Sequence, residues 1–283
     1  MALTINTNIA SLNAQRRLGQ STNDLRQSYE RLSSGLRIVR SRDDAAGLAI
    51  ADNLRADQRI ASVAIRNAND GISLISIADG ALNEIGNVLQ RMAELAEQSG
   101  NGTLASTQRS ALSNEFASLG SEITRIARTT TFNGLQLLSG GATIQLQVGF
   151  DSSSNSQISF TGTSGTLESI GLGSGNEVLT YSLNAASGGQ FAALSALDAV
   201  KTAITSLTTS RGTLGAAESR LNVAITNLQV SRENFASAES QIRDVDVAEE
   251  AARLTRLNIL QQAGASVLAQ ANQQPSLALS LLQ

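Results

Sequence analysis

Apolar residues recur along this chain at intervals of three and four. Leu74, Ala78, Ala81, Ile85, Val88, Met92 and Leu95 advance by alternating steps of four and three, the spacing that keeps one side of an α-helix against a neighbour. A second series, Ile75, Leu82, Leu89 and Ala96, runs beside it in steps of seven. The stripe is wider than a two-helix seam needs, so this helix is expected to touch more than one partner. Ser41 to Asp44 supply N-cap residue types, and Gly100, Asn101 and Gly102 supply a stop. The pattern predicts a helix over residues 44–99, roughly 80 Å long at the usual rise per residue. A shorter helix follows over residues 105–128.

The C-terminal half repeats the device. Val200, Leu207, Leu214, Leu221, Leu228, Phe235 and Ile242 are seven apart and all apolar, whereas Leu197, Ile204, Arg211, Glu218, Ile225, Arg232 and Glu239 mix apolar with charged residues. One edge of this helix is buried throughout and the other reaches water intermittently. Polar residues at a seam fix register at some cost in stability. Both chain ends are also amphipathic. Ile5, Ile9, Leu12, Leu25 and Leu32 fall on helical spacing at one end, and Leu254, Leu257, Leu260, Val267 and Leu268 at the other. Pro275, the single proline, marks an expected end of the last helix. Terminal apolar stripes of this length have no obvious cover in one copy, which points to self-assembly.

Between the helical halves the pattern changes. Residues 139–189 are rich in Gly, Ser, Thr and Asn, and no basic residue occurs from Thr129 to Val200. Alternation over Thr143 to Val148 predicts a strand, with further strands over Gln157 to Phe160 and Val178 to Leu183. The expected fold is mainly α: a long coiled-coil helical rod with a small antiparallel β patch, the terminal helices pairing as an inner helical domain.

Composition narrows the chemistry. The 283 residues include no Cys, His or Trp and only 3% aromatics, which excludes disulfides, His-based triads and the usual zinc ligands. Charge is 21 basic against 24 acidic residues, net −3, so no basic field exists to hold nucleic acid or an anionic membrane. No cofactor or metal is expected, and an enzyme is not. Asp43 and Asp44 are adjacent, so on a helix they diverge; they read as N-terminal capping acids rather than a metal pair. GLGSG at Gly171 to Gly175 lacks the flanking strand and helix of a phosphate loop. Asn101-Gly102-Thr103 has the form of an N-glycosylation sequon but reads as the helix stop. The hydroxyl cluster of Ser152, Ser153, Ser154, Thr161 and Thr163 is a candidate for O-glycosylation.

The terminal motifs carry a resemblance. Asn6 to Ala14, RLSSGLRI at Arg31 to Ile38, RDDAAGLAIADNLR at Arg42 to Arg55, and LQQAGASVLAQANQQPSLALSLLQ at Leu260 to Gln283 resemble the ends of bacterial flagellins, as do FNGLQLL at Phe132 to Leu138 and AITNL at Ala224 to Leu228. The likeness spans roughly residues 1–148 and 193–283; flagellins often carry large outer domains between these, and this chain has only about forty residues there. The resemblance implies a subunit of the flagellar filament, exported by the flagellar type III system without signal cleavage, extracellular, and a helical homopolymer. It implies partners in an export chaperone and in cap and junction proteins. The implied partition is an inner domain of residues 1–40 and 244–283, a rod of 41–138 and 190–243, and an outer insertion of 139–189. The terminal stripes would form the filament core, ordered only on assembly. Gln90, Arg91, Glu94 and Leu95, with Glu115, resemble the patch recognised by Toll-like receptor 5, although Ala93 stands where receptor-active members often have arginine. A hook-filament junction protein, which shares the terminal helices, is the alternative.

Overall fold

The computed structural model describes residues 7–140, 143–161, 165–174, 178–184 and 188–280, with side chains to residue 273. Five helices dominate. They are α1 (Ile9–Ser34), α2 (Ala45–Gly100), α3 (Ser106–Thr129), α4 (Gly189–Arg243) and α5 (Val247–Ser280). The chain divides into two compact units, residues 1–58 with 233–283, and residues 59–232.

In the larger unit the seven-residue series lie where their spacing predicts. Leu74, Ile85, Met92 and Leu95 are buried, as are Ile75, Leu82, Leu89 and Ala96 on the adjoining stripe, while Ala81 and Val88 are partly covered. The facing series Val200, Leu207, Leu214, Leu221 and Leu228 is buried as well. From α3, Phe116, Ile123 and Ala127 close the third side of the same core. The wide stripe of α2 thus has two helical neighbours. Arg211, the polar intruder on the second edge of α4, reaches Asp79 of α2 with Nε at 2.8 Å and Nη2 at 3.1 Å, and Asn83 with Nη1 at 3.1 Å. It pins α4 to α2 within one chain.

Among the described residues the small antiparallel β structure is made of three two-stranded pairs. β1 (Thr131–Phe132) and β2 (Leu135–Gln136) form a hairpin whose turn holds Asn133 at φ 49° and Gly134 at φ 79°. Left-handed backbone at both positions favours an Asn-Gly pair. β3 (Thr143–Gln147) pairs with β4 (Gln157–Thr161) over five residues, with Ile144 opposite Phe160 and Leu146 opposite Ile158. Leu146 rests directly on α2 at Gly71, where a Cβ would lie 2.2 Å from Leu146 Cδ1. Asn67 of α2 donates to the Gln147 carbonyl at 3.0 Å. β5 (Gly173–Ser174) pairs with β6 (Val178–Leu179), so the strand expected over Val178 to Leu183 is only two residues long. Leu183 leaves it to be buried in the core, and its carbonyl accepts from the buried Ser99 hydroxyl. The Gly171 to Gly175 stretch enters this pair; Gly171 sits in a turn at φ 80°, and residue 175 lies outside the described residues.

The exposed face of α4 carries hydroxyls bonded to its own backbone. Thr202, Thr205, Thr208, Thr209 and Thr226 each donate to the carbonyl four residues earlier, at 2.8–3.1 Å.

The smaller unit pairs α1 with α5 in antiparallel sense. Asn8 caps α1, accepting the Ser11 amide at 3.0 Å, and Gly35 ends it at φ 72° with its N–H on the Arg31 carbonyl. The breaks between α1 and α2 and between α4 and α5 lie side by side, with Val245 N–H on the Gly35 carbonyl at 3.0 Å and Arg37 N–H on the Arg243 carbonyl at 2.6 Å. α5 continues past Pro275 to Ser280, so the expected stop at that residue is not observed. Proline removes one amide from the backbone ladder, and near a helix end that leaves most of the bonds in place.

Asp44 caps α2 by accepting the Gly47 amide at 2.8 Å. Asp43 holds the approach: its Oδ2 accepts the amides of Arg40 and Val39, and its Oδ1 the side chain of Gln27. Burial by itself would raise the Asp43 pKa, but the Arg40 and Val39 amides, with Arg31 and Arg42 nearby, hold it below the usual carboxylate value. A depressed folded-state pKa gives stability that is complete above the unfolded value, about 4, and lost as pH falls through the lower folded value. Asp43→Asn is expected to cost the smaller unit about 1 kcal/mol at pH 7 and to flatten its loss of stability below about pH 4. Circular dichroism melts at pH 7 and in the acid range check both.

Candidate assembly and recognition sites

The first site is the α1–α5 pair. Leu25 and Leu257 are buried within it, and Leu32, Leu254 and Leu268 are half-buried. These five residues hold the pair together inside one chain. Ile9, Leu12, Leu260 and Val267 are instead 52–63% exposed. Ile5 lies outside the described residues. A groove of about 620 Å³ runs along the pair, floored by the small residues Ala10, Ala14, Ala263 and Gly264 and edged by Leu18, Leu260 and Val267. Short side chains let two backbones approach and leave a trough between the larger residues.

The pair also carries polar contacts that apolar periodicity does not show. The Asn8 side chain donates to the Ala271 carbonyl at 2.7 Å, and the Ser11 hydroxyl to Asn272 Oδ1 at 2.7 Å. At the opposite end Arg31 lies 3.8 Å from Glu250, with side chains only 16% and 8% exposed. A signal for the last of these was present in the sequence: Glu250, Leu257, Gly264 and Ala271 are seven apart, so an acid sits in line with the apolar stripe.

The second site is on α2 and α3. Arg91 reaches across to Glu115 with Nη2 at 2.9 Å and Nε at 3.1 Å, and along its own helix to Glu94 at 2.9 Å. Hydrogen bonds donated to Glu94 and Glu115 hold the Arg91 guanidinium above its usual pKa, so the group is a permanent cation. Gln90, Arg91, Glu94 and Glu115 are exposed together on one surface. Leu95 is fully buried, so it is not available to a partner there; it secures α2 to the core while Arg91 and Glu94 look outward. Leu95 lies on the first apolar series and Arg91 does not, so the spacing itself separates the two.

The insertion residues Ser152, Ser153 and Ser154 are exposed in the turn between β3 and β4. The Ser153 hydroxyl is engaged with Asp151 Oδ1 at 2.8 Å, and Ser156 donates to the same oxygen; these hydroxyls hold the Asp151 pKa below its usual value. Thr161 ends β4 and Thr163 lies outside the described residues. Asn101 Oδ1 accepts the Thr103 amide at 3.2 Å in the turn after α2. Among the described residues no three His, Cys, Asp or Glu side chains gather to hold a metal, and no helix is long and apolar enough to cross a membrane.

Long helices with buried seven-residue series, and a terminal pair with large apolar side chains left uncovered, define a structural helical protein. Residues 5–143 match the bacterial flagellin N-terminal helical region and residues 197–282 the bacterial flagellin C-terminal helical region. The flagellin of Halalkalibacterium halodurans is 44% identical over 280 residues, covering 99% of both chains, and that of Bacillus subtilis is 38% identical over 302 residues with the same coverage. The chain belongs to the bacterial flagellins, the structural subunits of the flagellar filament. A flagellar hook-associated protein of Vibrio parahaemolyticus shares the fold, with a TM-score of 0.59 over 71% of this chain and 100% of that one, at 13% identity.

Proposed function

We propose that this subunit polymerises through its terminal helices, with residues 1–40 and 244–283 forming the inner domain and residues 41–243 the surrounding rod and short outer insertion. The carrying observation is the exposure of Ile9, Leu12, Leu260 and Val267 beside a groove on the α1–α5 pair. In one chain these residues face water; in a helical lattice each copy's stripe covers the next, and the interface repeats without closing. Burial at about 25 cal/mol per Å² then offsets the ordering entropy of the chain ends in every copy. Its role is structural rather than enzymatic. The chain reaches the outside of the cell through the flagellar type III system, held by an export chaperone, and is laid down between junction and cap proteins. Identity to flagellins along the whole chain favours this over a junction protein. Ser152 and Ser154 are exposed candidates for O-glycosylation.

Leu260→Asp and Val267→Asp test the assembly surface. Each places a carboxylate where a neighbouring copy would bury it, at a cost of several kcal/mol, so the critical concentration for polymerisation is expected to rise by roughly tenfold or more. Monomer helix content should stay at its wild-type level because both positions are exposed. Seeded polymerisation followed by electron microscopy reads the result, and wild-type filament yield from both variants would remove the basis for this surface.

The same surface logic supports recognition of the monomer by Toll-like receptor 5 through Gln90, Arg91, Glu94 and Glu115, with Leu95 acting from beneath. Arg91→Ala is expected to lower receptor activation by about tenfold. Its melting point should hardly change, since both of its ion pairs lie at the surface, where water screens them. A reporter-cell titration beside a thermal melt separates the two readouts; unchanged potency would count against the patch.

A further inference from the structure

The α1–α5 seam repeats every seven residues on both helices, and a repeat of this kind does not by itself choose an alignment. On α5 the series is Glu250, Leu257, Gly264, Ala271; on α1 it is Leu32, Leu25, Leu18, Ser11, running the other way. In the observed alignment Leu18 packs at Gly264, where a Cβ would lie 3.4 Å from Leu18 Cδ1. Ser11 and Asn8 meet Asn272 and Ala271 at one end, and Arg31 meets Glu250 at the other.

Sliding one helix by a heptad is a shift of about 10 Å. In one direction Leu25 falls on Gly264 and Leu32 on Leu257, an apolar match as good as the observed one, but Glu250 passes beyond Ser34, the end of α1, and Arg31 loses its acid. In the other direction Leu18 falls on Leu257 and Ser11 on Gly264, but Glu250 is driven against Leu25. The apolar side chains therefore tolerate three alignments, whereas the charged pair accepts one, as do the backbone hydrogen bonds from Val245 to Gly35 and from Arg37 to Arg243 beside it.

We propose that Arg31 and Glu250 are positioning residues that, together with the neighbouring backbone bonds, select the heptad register of the terminal helix pair. The pair is costly for its size. Glu250 is 6% exposed and Ser28 beside this stretch of seam 1%, and Oε1 of Glu250, Nε of Arg31 and Oγ of Ser28 have no hydrogen-bond partner among the described residues. An apolar pair would bind the helices more firmly; a buried, incompletely satisfied ion pair trades stability for a single arrangement.

The inference rests on the chain assembling into filaments, and the experiment keeps the two apart. The chain has no cysteine of its own, so disulfide mapping needs no background removal. Three reporters are built: Leu18→Cys with Gly264→Cys for the observed register, and Leu25→Cys with Gly264→Cys and Leu18→Cys with Leu257→Cys for the two slipped ones. Filaments are oxidised, dissolved and read for the mobility-shifted monomer, which reports bonds within one chain. With Arg31 and Glu250 in place the first reporter should exceed the others by at least about tenfold; with Arg31→Met and Glu250→Leu together, a slipped reporter should come within about threefold of it. Exclusive cross-linking of the first reporter in that double variant overturns the proposal. Filament yield gives an independent arm: Arg31→Glu and Glu250→Arg alone should each reduce it by about tenfold and the combined swap should restore it. A swap no better than either single change overturns the pairwise role. Absence of filaments from the otherwise unaltered chain would instead strike the assembly reading.

Discussion

Deletion of residues 1–31, or of residues 259–283, is expected to abolish polymerisation and to leave residues 59–232 folded. Either cut removes one partner of the α1–α5 pair, and a lone amphipathic helix cannot cover its own stripe. The core of the larger unit, from Ala68 to Leu221, lies wholly within residues 59–232, so neither deletion touches it. The full-length chain should elongate filament seeds while both truncated chains remain at the monomer boundary in sedimentation. A truncated chain that still built normal filaments would end the account of assembly through the termini.

Phe116→Ala should be among the most damaging single substitutions in the larger unit. Phe116 is fully buried and, on α3, closes the core against the stripe of α2. Truncating a buried aromatic removes its transfer energy and leaves a cavity that long, rigid helices cannot collapse to fill, about 3–5 kcal/mol in all. For a unit of this size that corresponds to a fall in melting temperature of roughly 6–20 °C. A loss under about 1 kcal/mol by calorimetry or chemical denaturation would mean that α3 is not part of the load path of this core.

The helices were legible because their burial obeys one period. Leu74 to Leu95 and Val200 to Leu228 repeat often enough that no local exception hides the stripe, and Gly100 with Asn101 and Gly102 end it sharply. β3 was legible for the same reason with a period of two. The insertion was harder. Its strands are two to five residues long, and what fixes them is contact with the helices, such as Leu146 on Gly71, which no pattern within the insertion announces. The β1–β2 hairpin had a local signal, Asn133-Gly134, which a family motif overshadowed. The roles of individual charges were least legible. Arg211 looks like a surface residue on a seam edge until Asp79 and Asn83 are seen across from it, 132 and 128 residues away in the chain. Arg31 and Glu250 are matched only once the direction of the α1–α5 pairing is known, although Glu250 already stands in line with the apolar stripe; Leu95 was legible as core, because it lies on the first apolar series.

The threonines of α4 have a consequence for how copies can meet. Each hydroxyl that donates to its own helix carbonyl has already exchanged its water partner for a backbone one. Should another copy press against that face, no donor on those five side chains is stranded. The helix thus offers a surface that is hydrophilic enough to stay apart in the monomer yet loses little when dried, a property that neither a leucine face nor a charged one could combine.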